Sequence, residues 1–431
     1  MKARFSLAAT TVLGGLLAAG SLALPASATE GYFQHGYGLR QYAVGGAGVA
    51  DSRDAMSMSI NPAGIVHVDR QLQLGIAAFM PYRGYDGTAT TFAAPGSVDS
   101  NRNVFFIPNF AYTQPIDDVS SWGVVMYGNG GMNTSYPDVA NANCGGPTPK
   151  LTGVFCDGHM GVDLIQAFFS AVYARQFGPL SIGVAPTLAV ARFKIDGVGA
   201  FGGFSAESGN HLSSEGYDWA WGGGLRAGAE FAVTDRFRLG LSGQTKMYMS
   251  KFDKYSGLFE NQGDMDIPAA IIAGLAFDAT PDLTLMFDYK RIFYSGIDSV
   301  GNSSSILGIP PMFGDDGGPG FGWHDINIFK IGAEWRANED WTLRAGYAYN
   351  ENPIKSADVT LNIIAPGVVQ HHITGGLSYR VTPGSSIDFS GAYMPNVSVS
   401  GPVPIGLGGG NVELSMHQFQ FALGWTYRFG E

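Results

Sequence analysis

The chain has 431 residues, 45% of them hydrophobic and only 14% charged, and its formal net charge is −11. That balance, with no basic stripe anywhere, excludes nucleic acid as a partner. After the N-terminal region no stretch reaches the roughly 18 continuous apolar residues that a spanning helix requires, so any membrane crossing must be made by a closed sheet.

Residues 1–28 read as a secretory leader. Lys2 and Arg4 precede an apolar run around Leu7–Leu24, and Ala26-Ser27-Ala28 supplies a small-x-small cleavage pattern. Residues 29–70 do not read as strands. They hold Gly31, Gly36, Gly38, Gly45, Gly46 and Gly48, then a short helix begun by Asp51 or Ser52 and stopped at Asn61-Pro62-Ala63-Gly64. A segment so rich in glycine and poor in large side chains cannot build a core of its own and needs a host, or else is a flexible tail.

Fourteen strand-like segments follow, at 72–83, 104–115, 121–133, 164–177, 180–193, 217–232, 237–250, 268–278, 282–294, 324–336, 340–350, 370–380, 386–395 and 416–429. Many alternate with a period of two. In the last, Phe419, Phe421, Leu423, Trp425 and Tyr427 share one face, while Gln418, Gln420, Gly424, Thr426 and Arg428 share the other. The fourth is less regular, with Phe168 and Val172 on the face expected to be polar. The connections alternate between tight turns, such as Thr280-Pro281 and Asn338-Glu339, and long links at 84–103, 134–163, 194–216, 251–267, 295–323, 351–369 and 396–415. All the long loops therefore lie at one end. The expected fold is all-β, a fourteen-stranded antiparallel transmembrane β-barrel of the Gram-negative outer membrane, built by residues 71–431. A lumen that wide is the natural host for residues 29–70, which are expected to form an N-terminal plug, or hatch, inside it. The only cysteines, Cys144 and Cys156, lie in one long loop. An oxidising compartment favours a bridge between them, stabilising by roughly 3 kcal/mol in the chain-entropy model. They make a poor metal site, and neither metal nor cofactor is expected.

The chain resembles the FadL family of outer-membrane transport proteins. The resemblance rests on Gly45-Gly46-Ala47, Asp54 and Asn61-Pro62-Ala63 in the plug, Pro108-Asn109-Phe110-Ala111-Tyr112 in the second strand, and Tyr127-Gly128-Asn129-Gly130-Gly131-Met132-Asn133 ending the third. Trp323-His324-Asp325, Leu343-Arg344-Ala345-Gly346-Tyr347 and Asn352-Pro353-Ile354 follow in the same order, so the resemblance covers the mature chain. It implies passive uptake of hydrophobic molecules, chiefly long-chain fatty acids and in some members aromatic hydrocarbons, by a channel expected to be monomeric among outer-membrane lipid and lipopolysaccharide. A general diffusion porin is the competing channel reading. The family's third strand is kinked to open the wall sideways, which singles out Gly128, Asn129, Gly130 and Gly131; an ordinary strand-to-loop transition is the alternative. Val190–Ile195 is similar to a family segment that supplies an internal cation, so Arg192 and Lys194 become candidates for a ligand carboxylate, against a plain ion-pair role. Asn61, Pro62 and Ala63 become the plug's gate.

Phe201, Phe204, Leu258, Phe259 and Phe313 fall in long loops where polar residues are usual, which suggests apolar capture sites or loops packed on one another. The chain departs from barrel habit at its end, where Gly430-Glu431 follow the terminal Phe429. Enzymatic activity is not expected. Several histidines lie near loops, but no nucleophile or metal spacing accompanies them, and His371 and His372 must face opposite sides of a strand.

Overall fold

A computed structural model of the chain describes residues 29–144 and 152–430; the leader expected over 1–28 lies outside the described residues. Fourteen long strands form one antiparallel sheet. They are β1 Gln71–Thr88, β2 Phe105–Asp117, β3 Ser120–Asn133, β4 Gly161–Phe177, β5 Leu180–Asp196, β6 Asp218–Thr234, β7 Phe237–Gln244, β8 Ala270–Asp278, β9 Leu283–Ile292, β10 Ile326–Arg336, β11 Trp341–Asn350, β12 His371–Thr382, β13 Ser385–Pro402 and β14 Asn411–Arg428. Each pairs with its neighbours in sequence, and β14 pairs back onto β1 from Gln71↔Arg428 to Thr88↔Asn411, so the sheet closes without an edge.

Burial along β14 explains the choice of faces. Leu423 is 56% exposed while Gln418 is 0% exposed, so apolar residues point out and polar residues point in, the reverse of a water-soluble protein. Above His417 the same strand inverts: Val412, Leu414 and Met416 are buried and Glu413 is exposed. That inversion is the pattern expected where a strand rises out of the bilayer, with water outside and packed loops inside. The connections at 84–103 and 396–415 are consequently shorter than the sequence suggests. β1 runs on to Thr88 and pairs with a short strand, Gly96–Asp99, while β13 and β14 form a tall hairpin joined only by 403–410. In the other direction β7 stops at Gln244, and only Tyr248–Met249 returns to β6 after an irregular step.

Three of the short turns share one device. A side-chain oxygen caps the two following amide groups: Thr280 Oγ1 accepts from Asp282 N and Leu283 N at 3.2 and 3.0 Å, and Asn338 Oδ1 accepts from Asp340 N and Trp341 N at 3.0 and 2.9 Å. Thr234 does the same for Arg236 and Phe237. Such local closure fixes the strand register without needing a longer loop.

The segment before β1 lies inside this ring. It consists of a short helix, α1 (Leu39–Ala43), and two 3-10 turns, Ala55–Ser59 and Pro62–His67. Asp54 Oδ1 caps the first turn through Ser57 N at 2.9 Å, and Asn61 Oδ1 caps the second through Ala63 N at 3.1 Å, with Pro62 in the first turn where a missing N–H costs nothing. Inward-facing glycines make room for its backbone. A Cβ on Gly183 would strike Pro62, one on Gly228 would strike Asn61, one on Gly240 would strike Val49, and one on Gly346 would strike Val44. These wall glycines are thus the imprint of the segment on the barrel. Phe168 and Val172, irregular in the sequence pattern, are buried on the lumen side, where Phe168 meets the Tyr127 ring edge-on at 5.6 Å.

Candidate functional site

Polar groups hold the N-terminal segment to the lumen wall on several sides. Glu30, wholly buried, sits between Lys290 Nζ of β9 at 2.6 Å and Lys330 Nζ of β10 at 2.7 Å. Arg40 Nε bonds Glu334 Oε2 of β10 at 2.7 Å, and Arg344 of β11 reaches the same oxygen at 2.7 Å. Asp288 of β9 accepts from the amides of Gly48 and Val49, both at 2.9 Å. Asn61 Nδ2 donates to Val49 O at 2.7 Å and to Ala229 O of β6 at 3.1 Å, so the expected gate residue ties the segment to itself and to the wall.

Two buried groups of the segment respond to pH. Burial alone would raise the Glu30 carboxyl, but Lys290 and Lys330 hold it at about 2. Burial, with the charge of Lys330, pushes His35 down to about 4. Both values lie below the ordinary 4.5 and 6.5, so each group stabilises the docked segment at neutral pH and loses that contribution as pH falls. His35 acts first, between 6.5 and about 4, and Glu30 follows between 4.5 and about 2. Amide exchange of residues 30–36, corrected for its intrinsic acid dependence, should therefore show less protection at about pH 4.5 than at neutral pH, and His35→Phe should remove most of that difference.

On one side the wall itself is interrupted. β2 and β3 pair only as far as Asn109↔Tyr127. Beyond that point Phe105–Pro108 still pair with β1, and 128–133 still pair with β4. The β3–β4 register shifts between Gly128 and Gly130, which makes Asn129 an extra residue, a bulge that bends the strand. The interruption is closed again above. Asn101 N donates to Ser135 O at 2.8 Å, and Arg102 pairs with Asp163 at 3.0 Å. The wall therefore has a bounded break, with β2 on one side and bent β3 on the other.

The N-terminal segment meets bent β3 directly. Gly131 N donates to Tyr32 O at 2.9 Å, and Gln34 N donates to Asn129 O at 3.2 Å. Tyr37 OH donates to Asn129 Oδ1 at 3.0 Å, and Asn129 Nδ2 donates to Gln166 Oε1 at 3.0 Å. A Cβ on Gly130 would overlap the Tyr32 carbonyl, so only glycine admits this approach. The bend lies within the strand, and the strand-to-loop alternative does not describe it. Beside the break is a cleft lined by Phe79, Pro81 and Arg83 of β1, Gly131–Asn133 of β3, Met416 of β14, and Trp323 with residues 365–367 from the loops.

Arg192 and Lys194 are not part of this cleft. Their neighbour Phe193 faces inward, against Phe252, Tyr255 and Phe259, with which its ring makes contacts of 5.6, 4.8 and 4.7 Å. Arg192 and Lys194 therefore face outward. Arg192 lies over the Tyr217 ring at 4.2 Å and pairs with Asp163 at 3.4 Å, and Lys194 pairs with Asp196 at 2.7 Å. The ion-pair role holds here, on the outside of the wall.

The loop aromatics also differ from expectation. Phe201, Phe259 and Phe313 are fully covered. Phe201 joins Phe92, Phe155 and Phe313 in one cluster of ring contacts, the loops' own core, with Phe204 and Leu258 packed at the margins. Cys144 and Cys156 are disulfide-bonded beside this cluster, their Cα atoms 5.2 Å apart. His372 is buried and donates from Nε2 to Asn350 Oδ1 at 2.6 Å, whereas His371 lies on the opposite face beside Tyr347. Sequence reasoning passed over Arg83 and the Arg102–Asp163 pair. The signal for Arg83 was its parity with Phe79 and Pro81, which makes it an inward-facing cation in the first strand.

A closed fourteen-stranded barrel with an interior N-terminal segment and a bent third strand defines a class of outer-membrane channel. The chain belongs to the family described as outer membrane protein transport protein (OMPP1/FadL/TodX), whose pattern matches residues 34–429. It is 24% identical over 402 residues to the long-chain fatty acid transport protein of Escherichia coli (strain K12), covering 84% of this chain and 88% of that one. Its fold is similar to the crystal structures of a Pseudomonas aeruginosa FadL homologue (TM-score 0.68, 16% identity) and of the P. putida toluene transporter TodX (TM-score 0.66, 16% identity). Each comparison covers 92% of this chain and 99% of the other.

Proposed function

We propose that this protein is a passive channel for hydrophobic compounds, most directly long-chain fatty acids, across the outer membrane. In this reading residues 1–28 are a cleaved leader, 29–70 a plug gated around Asn61, Pro62 and Ala63, and 71–431 the channel. Cargo enters among the extracellular loops, occupies the cleft beside Gly131–Asn133 and leaves sideways through the break at Gly128–Gly131. The observation that carries the proposal is the placement of an apolar cleft against a bounded break in wall pairing. A porin has no use for either. The filled lumen argues the same way, because among the described residues, 29–65 are nearly all buried against the wall. A second reading, uptake of aromatic hydrocarbons, draws on the likeness to the toluene transporter's fold.

Uptake by cells with and without the protein distinguishes these readings. Labelled oleate, labelled toluene and a small sugar are followed side by side. Protein-dependent entry of oleate without the sugar is the expected result. Entry of toluene alone favours the second reading, and entry of the sugar alone returns the protein to the porins.

A further inference from the structure

The outward turn of Arg192 and Lys194 sets them at the upper edge of the lipid-facing band. Below them on the same face of β5, Ile182, Val184 and Leu188 are exposed. Beside them on β6, Trp219 pairs with Arg192 and Trp221 with Val190, both indole rings exposed, and Tyr217 follows two residues further along. Tryptophan and tyrosine collect at the level of lipid headgroups. The two cations therefore stand at headgroup height, above the acyl chains.

The ion pairs here are lopsided. Asp163 Oδ2 is shared by Arg102 at 3.0 Å, Arg192 at 3.4 Å and the Tyr217 hydroxyl at 2.8 Å, so one carboxylate serves two guanidinium groups. The Asp163 side chain is 6% exposed, against 42% for Arg102 and 14% for Arg192, which puts the anion beneath and the cations on the surface. Lys194 adds a third cation, paired with Asp196 at 2.7 Å. The 3.4 Å contact is the one hydrogen bond of the Arg192 side chain among the described residues, so most of its five N–H donors are uncommitted. The rings of Tyr217 at 4.2 Å and Trp219 at 5.9 Å hold its guanidinium in place. Lys246, just past β7, repeats the arrangement, with its ammonium half-exposed beside the Tyr248 ring and its partner Asp266 covered.

The outer leaflet of a Gram-negative outer membrane is made of lipopolysaccharide, in which two glucosamine rings carry phosphates directly above the acyl chains. Arginine's planar fork matches a phosphate, and a sugar ring stacks on an exposed aromatic face. A lipid with a single phosphate and no sugar would engage fewer of these groups. We propose that Arg102, Arg192 and Lys194, with Tyr217 and Trp219 beside them, form a docking site for the phosphorylated glucosamine headgroup of one lipopolysaccharide molecule. Arg102 also closes the wall break from above through Asp163, so the bound lipid borders that break. The inference concerns the outer face of the barrel and stands independently of what the channel carries.

The test measures, by native mass spectrometry, binding of a rough lipopolysaccharide trimmed to its inner sugars to the full-length protein in dodecyl maltoside. Wild-type protein should hold it about tenfold more tightly than the same molecule stripped of its phosphates, and more tightly than phosphatidylglycerol. Arg192→Gln combined with Lys194→Gln should remove that preference. Arg291→Gln is the matched control, because Arg291 of β9 is a partly exposed cation, paired with Asp325, away from the patch; it should bind as the wild type does. Equal affinity for the phosphorylated and stripped forms overturns the proposal. Equal affinity for phosphatidylglycerol overturns it too, by making the patch a site for any anionic lipid, and an equal loss in Arg291→Gln does so by spreading the attraction over the whole girdle. Should the double variant fail to assemble, as judged by its heat-dependent gel mobility, Lys194→Gln alone decides: it should weaken the preference for the phosphates, and an unchanged preference overturns the proposal.

Discussion

Glu30→Gln should release the first residues of the N-terminal segment while leaving the barrel folded. Glu30 is the only carboxylate in ion-pair contact with Lys290 and Lys330 among the described residues, at 2.6 and 2.7 Å. A neutral amide leaves two buried ammonium groups facing each other without compensation. Breaking a buried pair from one side costs about 3–5 kcal/mol. The loss falls locally, because Arg40 remains tied to Glu334 and Asn61 to Ala229, while the strands keep every ladder hydrogen bond. The amides of residues 30–35 should then exchange about a hundredfold or more faster than in the wild type, with no change in heat-dependent gel mobility. Adding Lys290→Gln leaves one uncompensated cation instead of two and should restore part of the protection. Unchanged exchange in the single variant would mean that the Tyr32 and Gln34 backbone contacts with β3 suffice to hold the segment.

How much of this was legible beforehand depends on height along the barrel axis. Within the bilayer the solvent outside is lipid, so alternation alone sorts residues. Leu74, Ile76, Leu423 and Trp425 face out, Gln73 and Thr426 face in, and the fourteen segments emerge at the expected places. Above the bilayer the environments exchange. Water lies outside and packed loop side chains lie inside, so the apolar member of each alternating pair turns inward. Phe193 follows that rule, so Arg192 and Lys194, made candidates by their similarity to a family segment, face the other way. The loop aromatics failed for a related reason. Sequence marks them as apolar but not as mutual partners, and Phe92, Phe155, Phe201 and Phe313 come from connections far apart in the chain. The glycines of β3 were compatible with a bend or with a plain strand-to-loop transition, and it was the family resemblance that pointed to the bend. The missing pairing partner on β2 was not legible, because pairing is set by the one extra residue and not by composition.

That extra residue gives the largest functional effect expected of any single change. Deleting Asn129 removes the register shift between Gly128 and Gly130 and leaves the β3–β4 ladder continuous. Counting from Asn109↔Tyr127, Ile107 would then face Gly130 and Phe105 would face Met132, pairs in which both members already point inward. The straightened strand can therefore extend its ladder with β2 across the break without placing a polar side chain in lipid. The backbone groups freed by losing Tyr32 and Gln34 as partners find new ones in Phe105–Ile107, so the barrel should be at least as stable as before. If cargo leaves through the break, uptake of labelled oleate should fall by more than about tenfold, with normal assembly. Asn129→Ala is the matched control: it keeps the residue count, and hence the bulge, and loses only the side-chain bonds to Tyr37 and Gln166. Its uptake should stay within about threefold of wild type. Equal uptake by the deletion and the wild type would mean that cargo does not pass through the β2–β3 break.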